Sequence, residues 1–154
     1  MKPDRLSTHQ WDTSLDPEIV PLFLKLQWAQ SQSLHTLKPT LLAHGLSMAE
    51  FDVLATLRNA KPPFTMTPKE IQGEVVITSG GLSKVMLRLE SRGLVVRLQQ
   101  EKDLRVKPIQ LTSQGKRLIE KAMGQMLNET GAWLRGVLSQ NEIQILTELL
   151  GRIA

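Results

Sequence analysis

Residues 77–98 read ITSGGLSKVMLRLESRGLVVRL, and the assignment of this stretch decides how the rest of the chain is organised. Thr78 is a hydroxyl residue ahead of a periodic run, so its side chain can accept from the free N–H groups of a helix's first turn. Ile77 and Leu82 have the spacing of a hydrophobic staple across that cap. Leu82, Val85, Met86 and Leu89 recur every three or four residues, which predicts one buried helical face. The opposite face carries Ser79, Gly80, Ser83, Lys84, Leu87 and Arg88, with no acid before Glu90. Gly93 supplies the left-handed residue that ends a helix, and the β-branched run Leu94 to Leu98 predicts a strand.

Downstream, the polar segment QQEKD separates this strand from LRVKPIQL at residues 104–111, a second alternating run. The pair predicts a hairpin with Lys102, Asp103, Arg105 and Lys107 at or near its tip. Helix, strand, basic tip and strand follow one another in winged-helix order. A helix face of short polar side chains with a cation can approach base edges in a DNA groove, which makes Thr78, Ser79, Ser83, Lys84 and Arg88 candidate contacts. At the tip, Arg105 suits a narrow, electronegative minor groove, and Asp103 can orient its guanidinium.

Charge is distributed accordingly. The chain of 154 residues has a formal net charge of +4. Residues 61–107 hold nine Lys or Arg against five Asp or Glu, while the remainder balances to zero. A surface-seeking membrane helix would instead gather its cations along one amphipathic helix. The length fits one domain spanning 1–154. With no cysteine there is no disulfide framework or thiolate metal site. The sequence starts MKPDRLSTHQW, with no apolar leader, and no run approaches the ~18 apolar residues that span a bilayer. A soluble, cytoplasmic protein is the expectation.

Upstream, Asp16-Pro17-Glu18 signals a helix start, with a capping carboxylate, a proline and an acid in the first turn. Ile19, Leu22, Phe23, Leu26, Ala29, Ser33, Leu37 and Leu41 mark its apolar stripe, which ends at His44-Gly45. Pro39 predicts a kink or break near Leu37. Ser47-Met48-Ala49-Glu50 is a capping box opening a second helix, stapled by Leu46 and Phe51 and ended by Pro62-Pro63. Thr67-Pro68-Lys69-Glu70 is another, opening a short third helix to about Glu74. Thr67 and Lys69 at its start are candidate phosphate contacts. That helix, a turn and the Thr78 helix make a helix-turn-helix.

After the hairpin, Thr112 caps a long helix with the stripe Leu118, Ile119, Ala122, Met126, Thr130, Trp133, Leu134 and Val137. Gly115, Gly124, Gly131 and Gly136 each weaken it by roughly 1 kcal/mol relative to alanine. Ser139 to Glu142 opens a last helix to Ile153, with Ile143, Leu146, Leu149, Leu150 and Ile153 expected to face inward. The terminal helices are strongly apolar and flank a basic module that can form its own small core. Two chains interlocking through them in a two-fold dimer is the expected solution. The reading is mainly α with a small β-wing, residues 46–111 forming the winged helix-turn-helix and 16–45 with 112–154 the dimerisation helices.

In this order the chain resembles the MarR family of winged-helix transcriptional regulators. The resemblance rests on LSMAEFDVLATL, the TPKEI opening of the third helix, TSGGLSKVMLRLESRGLV, Asp103 and Arg105 in the wing, and LTSQGKRL, over residues 45–118. It implies an obligate homodimer on double-stranded DNA, recognition helices in adjacent major grooves, wings in the flanking minor grooves and control by a small ligand. A narrower similarity is to the urate-responsive branch of that family, whose pocket positions fall on Trp11, Asp52 and Arg97. The branch's further arginine, in the recognition helix, is Val85 here, which favours a planar, weakly acidic aromatic over urate. A sequence-specific, ligand-responsive repressor is therefore the leading expectation, and a winged-helix architectural or protein-interaction module without a specific operator is the second. No enzyme is expected: His9, His35 and His44 lack metal-ligand spacing or a partnered nucleophile, and no glycine-rich phosphate loop follows a strand. No cofactor or metal is implied.

Overall fold

The computed structural model describes residues 14–75, 78–99 and 107–153. In chain order the elements are α1 (Ile19–Ala43), α2 (Met48–Asn59), β1 (Thr65–Met66), α3 (Pro68–Glu74), α4 (Ser79–Ser91), β2 (Val95–Arg97), β3 (Ile109–Leu111), α5 (Ser113–Arg135) and α6 (Gln140–Leu150). Contacts divide the chain between Lys38 and Pro39 into two compact units.

In the first unit, Asp16 Oδ1 accepts from the backbone N–H groups of Glu18 at 3.1 Å and Ile19 at 2.8 Å, the capping role its position implies. The helix that follows continues through Pro39 instead of breaking near Leu37. A ring at that point removes one N–H from the ladder, but the helix has only one turn left to run.

In the second unit, the hydroxyl-capped starts fold as their sequences dictate. Ser47, Thr67 and Ser139 each form a reciprocal capping box with the glutamate three residues on. Thr78 Oγ1 accepts from Gly81 N at 3.1 Å, and Thr112 Oγ1 from Gly115 N at 3.0 Å. Gly93 takes φ +67° as a helix-ending residue. The four residues predicted for the inner face of α4, Leu82, Val85, Met86 and Leu89, are all buried. They join Phe51, Val53, Leu54 and Leu57 of α2, Ile71 of α3, Leu94, Val95, Ile109 and Leu111 of the sheet region, and Ile119 and Ala122 of α5 in one apolar core.

The sheet has one strand more than the hairpin. Its order is β1-β3-β2, both pairs antiparallel, with Thr65 opposite Gln110 and Val96 also opposite Gln110 on the other side. β1 is two residues long, too short for its alternation to show in sequence. Leu111 N donating to Phe64 O at 3.0 Å extends its pairing by one bond.

The joint between the wing and α5 is tight. Leu94 O accepts from Thr112 N at 3.1 Å and from Thr112 Oγ1 at 3.0 Å, and the same hydroxyl lies 2.7 Å from Gly93 O. Further along α5, Glu129 accepts from the buried Thr40 hydroxyl and from Gln125 Nε2 at 2.9 Å. These bonds, Thr40 first, hold the Glu129 carboxyl below its ordinary pKa.

The inward face expected for the last helix is not found among the described residues. α6 has no buried residue, and Leu146, Leu149, Leu150 and Ile153 are exposed instead of facing inward. Val137 at the end of the α5 stripe is also exposed. The helical periodicity is present, but nothing among the described residues covers that face.

Candidate nucleic-acid interface

The outward face of α4 is presented by the burial of its inward face. With Leu82, Val85, Met86 and Leu89 fixed in the core, Ser79, Gly80, Ser83, Lys84, Leu87 and Arg88 stand exposed, together with the cap Thr78. Ser83 Oγ donates to Ser79 O at 3.2 Å, which turns the hydroxyl back along the helix and leaves its lone pairs outward. Lys84 has no ion pair among the described residues. Leu87, 60% exposed, is the apolar member of the face.

α3 leads into this helix. Thr67 and Lys69 sit at its start as predicted, but the Thr67 donors are already engaged. Glu70 Oε2 accepts from Thr67 N at 2.6 Å and from Thr67 Oγ1 at 2.9 Å. The backbone bond and then the side-chain bond hold Glu70 below the usual carboxylate pKa. A phosphate at this helix end would compete with that carboxylate, and exposed Lys69 is the charge there that attracts it.

In the wing, Lys107 is exposed just before β3. Lys102, Asp103 and Arg105 lie outside the described residues, as does Trp11. Of the residues predicted for a ligand, Arg97 ends β2 with its Nε donating to Glu90 Oε2 at 3.1 Å. Asp52 lies half-buried on α2, where desolvation raises its carboxyl above the ordinary value of 3.8. No bond joins Asp52 to Arg97 among the described residues. Val85, where the resemblance places a further cation, is buried in the core and cannot face a ligand as a charge would.

The Asp52 shift has a stability consequence whose sign is fixed. A carboxyl with a raised folded pKa binds its proton more tightly when folded, so its contribution is present below the unfolded value and lost as pH rises through the folded one. Asp52→Asn is therefore expected to raise the melting temperature near pH 7, the gain shrinking as pH falls through the raised folded value and vanishing below the ordinary 3.8. Thermal melts across that range check it, and a gain that persists unchanged in acid would assign the effect to something other than ionisation.

Sequence reasoning missed one group beside this face. Glu50 was legible only as the third residue of a capping box, yet its carboxylate is fully buried with Arg88 Nε 3.4 Å and Arg92 Nη1 3.7 Å from Oε1. The signal available was a glutamate between apolar residues in LSMAEFDVL, which a single sequence cannot distinguish from a solvated helix end.

A three-stranded wing beside a helix-turn-helix with an exposed, polar and cationic second helix defines a winged-helix DNA-binding protein. The sequence model of the MarR family matches residues 46–107. An uncharacterized HTH-type transcriptional regulator of Bacillus cereus is 36% identical over 108 residues, covering 70% of this chain and 69% of its own. The HTH-type transcriptional regulator PecS of Dickeya dadantii is 35% identical over 108 residues, 70% of this chain and 64% of PecS. Among solved structures, a cysteine-to-serine mutant of MarR from E. coli complexed with operator DNA superposes with a TM-score of 0.76 at 27% identity, covering 88% of this chain and 95% of that one. The chain belongs to the MarR family of HTH-type transcriptional regulators. Among the described residues no helix is long and apolar enough to cross a membrane.

Proposed function

We propose that this protein is a homodimeric, sequence-specific repressor whose DNA complex is released by a small planar effector. The observation that carries the reading is the exposed face of α4, where Ser79, Ser83 and Lys84 offer donors and acceptors at close range with no acid among them. Such side chains can discriminate base edges in the major groove. Residues 46–111 would read DNA, with Thr67, Lys69, Thr78, Arg88, Lys102, Asp103, Arg105 and Lys107 contributing backbone or minor-groove contacts. Residues 16–45 and 112–154 would pair two chains.

The effector part of the reading rests on Asp52 and Arg97. Arg97 is already neutralised by Glu90, so a bound acid has to compete with a carboxylate in place. Burial of Asp52 disfavours a second negative charge beside it. Both features favour a weakly acidic aromatic over a strongly anionic one. Release follows only if that molecule binds the DNA-free spacing of the recognition helices more tightly than the bound spacing.

Selection of binding sites from random duplex DNA is the test. The expected result is a two-fold symmetric consensus. Changing Ser83 or Lys84 should then alter the preferred sequence by roughly 1 to 3 kcal/mol per lost base contact. Arg105→Ala should weaken all sequences and lower the salt slope by about one. The selected duplex also reports release by planar weak acids, a response expected to be lost in Arg97→Ala. Binding without sequence preference in the wild type would replace this reading with an architectural winged-helix module.

A further inference from the structure

Arg88 is held by a buried acid in a way that neither the fold nor the family assignment requires. Glu50 sits at the third position of α2 with its side chain wholly removed from solvent. Its Oε2 accepts from Ser47 N at 2.7 Å, closing the capping box. Its Oε1 is also buried and accepts no hydrogen bond among the described residues. The groups near that oxygen are the guanidiniums of Arg88 and Arg92, both contributed by the end of α4. Arg92 is anchored elsewhere as well, since its Nη1 donates to Gly45 O at 2.8 Å. Arg88 is different. Its Nε lies 3.4 Å from Glu50 Oε1 as an ion pair without a hydrogen bond, while its side chain remains 68% exposed.

A buried carboxylate oxygen without a hydrogen bond keeps its charge only if cations stay close to it. Glu50 therefore fixes where the Arg88 guanidinium can be. A guanidinium held near a buried charge, without a hydrogen bond to it, keeps its donors available, and these form a planar fork suited to two acceptors side by side. Such orientation lowers the side-chain entropy lost on binding, the advantage arginine has over lysine. Arg88 lies one turn beyond Lys84 on the exposed face of α4.

We infer that Glu50 is a positioning residue that aims Arg88 as a preset fork for a pair of acceptor atoms on duplex DNA, either two phosphate oxygens or the O6 and N7 edge of a guanine. This rests on the DNA-reading function proposed above. It gives Glu50 a role in recognition although it touches no DNA, and it makes Arg88 a shape-specific contact whose charge alone is insufficient.

The experiment measures the dissociation constant and salt slope of the selected duplex for the full-length wild type, Glu50→Gln, Arg88→Lys and the double variant. Glutamine at position 50 still accepts from Ser47 N, so the cap is kept while the charge is removed. The expected result is that each single variant binds about tenfold more weakly, and the double variant no more than about twofold worse than either. In the wild type, loss on replacing a guanine by 7-deazaguanine identifies the guanine edge as the acceptor. A salt slope lowered by about one in a further variant that removes the charge, Arg88→Gln, identifies phosphate. If Glu50→Gln melts early by circular dichroism, Arg88→Lys at its exposed position carries the test alone. Arg88→Lys binding as the wild type does overturns the inference, and so do losses that multiply to about a hundredfold in the double variant. A wild type that selects no sequence would instead sink the function reading, and that outcome is visible before any variant is made.

Discussion

Gly115→Ala lowers the melting temperature by about 10 °C, from a loss of roughly 3 kcal/mol at about 2–4 °C per kcal/mol for a chain of this size. A methyl group at this position would lie 2.1 Å from Leu94 O and 2.9 Å from both Leu94 C and Leu111 Cδ1. The backbone oxygen cannot retreat cheaply, because it is held by both the N–H and the hydroxyl of Thr112. Leu94 N is tied in turn to Leu89 O at 3.0 Å, at the end of α4. Relief would require α5 to lift away from the wing, opening the core around Leu94, Leu111 and Ile119. Gly124 in the same helix is the control, since a methyl there meets nothing within 4 Å. Gly124→Ala is expected to raise stability by up to about 1 kcal/mol through helix propensity. Urea titration of both variants checks the pair. A Gly115→Ala protein as stable as the wild type would show that the joint is looser than its distances imply.

The two glycines mark where the sequence stops being informative. Helix starts are local chemistry, a hydroxyl ahead of a periodic run and often a glutamate three residues on, so Ser47, Thr67, Thr78, Thr112 and Ser139 could be read directly. The inner face of α4 is likewise a matter of spacing, as is the left-handed turn at Gly93. The reason for Gly115 involves Leu94, which is remote in sequence, and on local grounds it looks identical to Gly124. β1 was hidden for a related reason: two residues become a strand only because β3 arrives beside them. Glu50 carries both kinds of information. Its capping role is local and legible, whereas its pairing with Arg88 and Arg92 depends on α4 crossing α2, which no spacing within either helix records. The exposed face of α4 is legible as a composition, but which of its members have a buried charge beside them, as Arg88 does, depends on those crossings.

Removing residues 139–154 is expected to yield a monomer with DNA affinity reduced by about 10²- to 10⁴-fold, the factor lost when two linked half-site contacts become one. α6 spans 11 residues, Gln140–Leu150, below the ~12–15 at which even favourable isolated helices persist in water. Its capping box stabilises the first turn, but none of its side chains is buried within the chain. Ile145, Leu146, Leu149 and Leu150 nevertheless recur at helical spacing and stand 38–51% exposed, with Ile153 beyond them at 70%. Covering the part of each such side chain that is still exposed gains roughly 0.6 to 1.5 kcal/mol, so this apolar face as a whole favours a partner. Ile19, Leu22 and Phe23 at the start of α1 are exposed in the same way. A second copy would supply matching surfaces through a two-fold axis without any other protein. The apolar core around Leu54, Leu57 and Ile119 lies outside the deleted segment, so the truncated chain should retain its helical circular dichroism while sedimenting at half the mass. Measured beside the full-length protein on the selected duplex, a truncated chain that remains dimeric and binds with unchanged affinity would remove α6 from the interface. The pairing would then fall to α1 and α5.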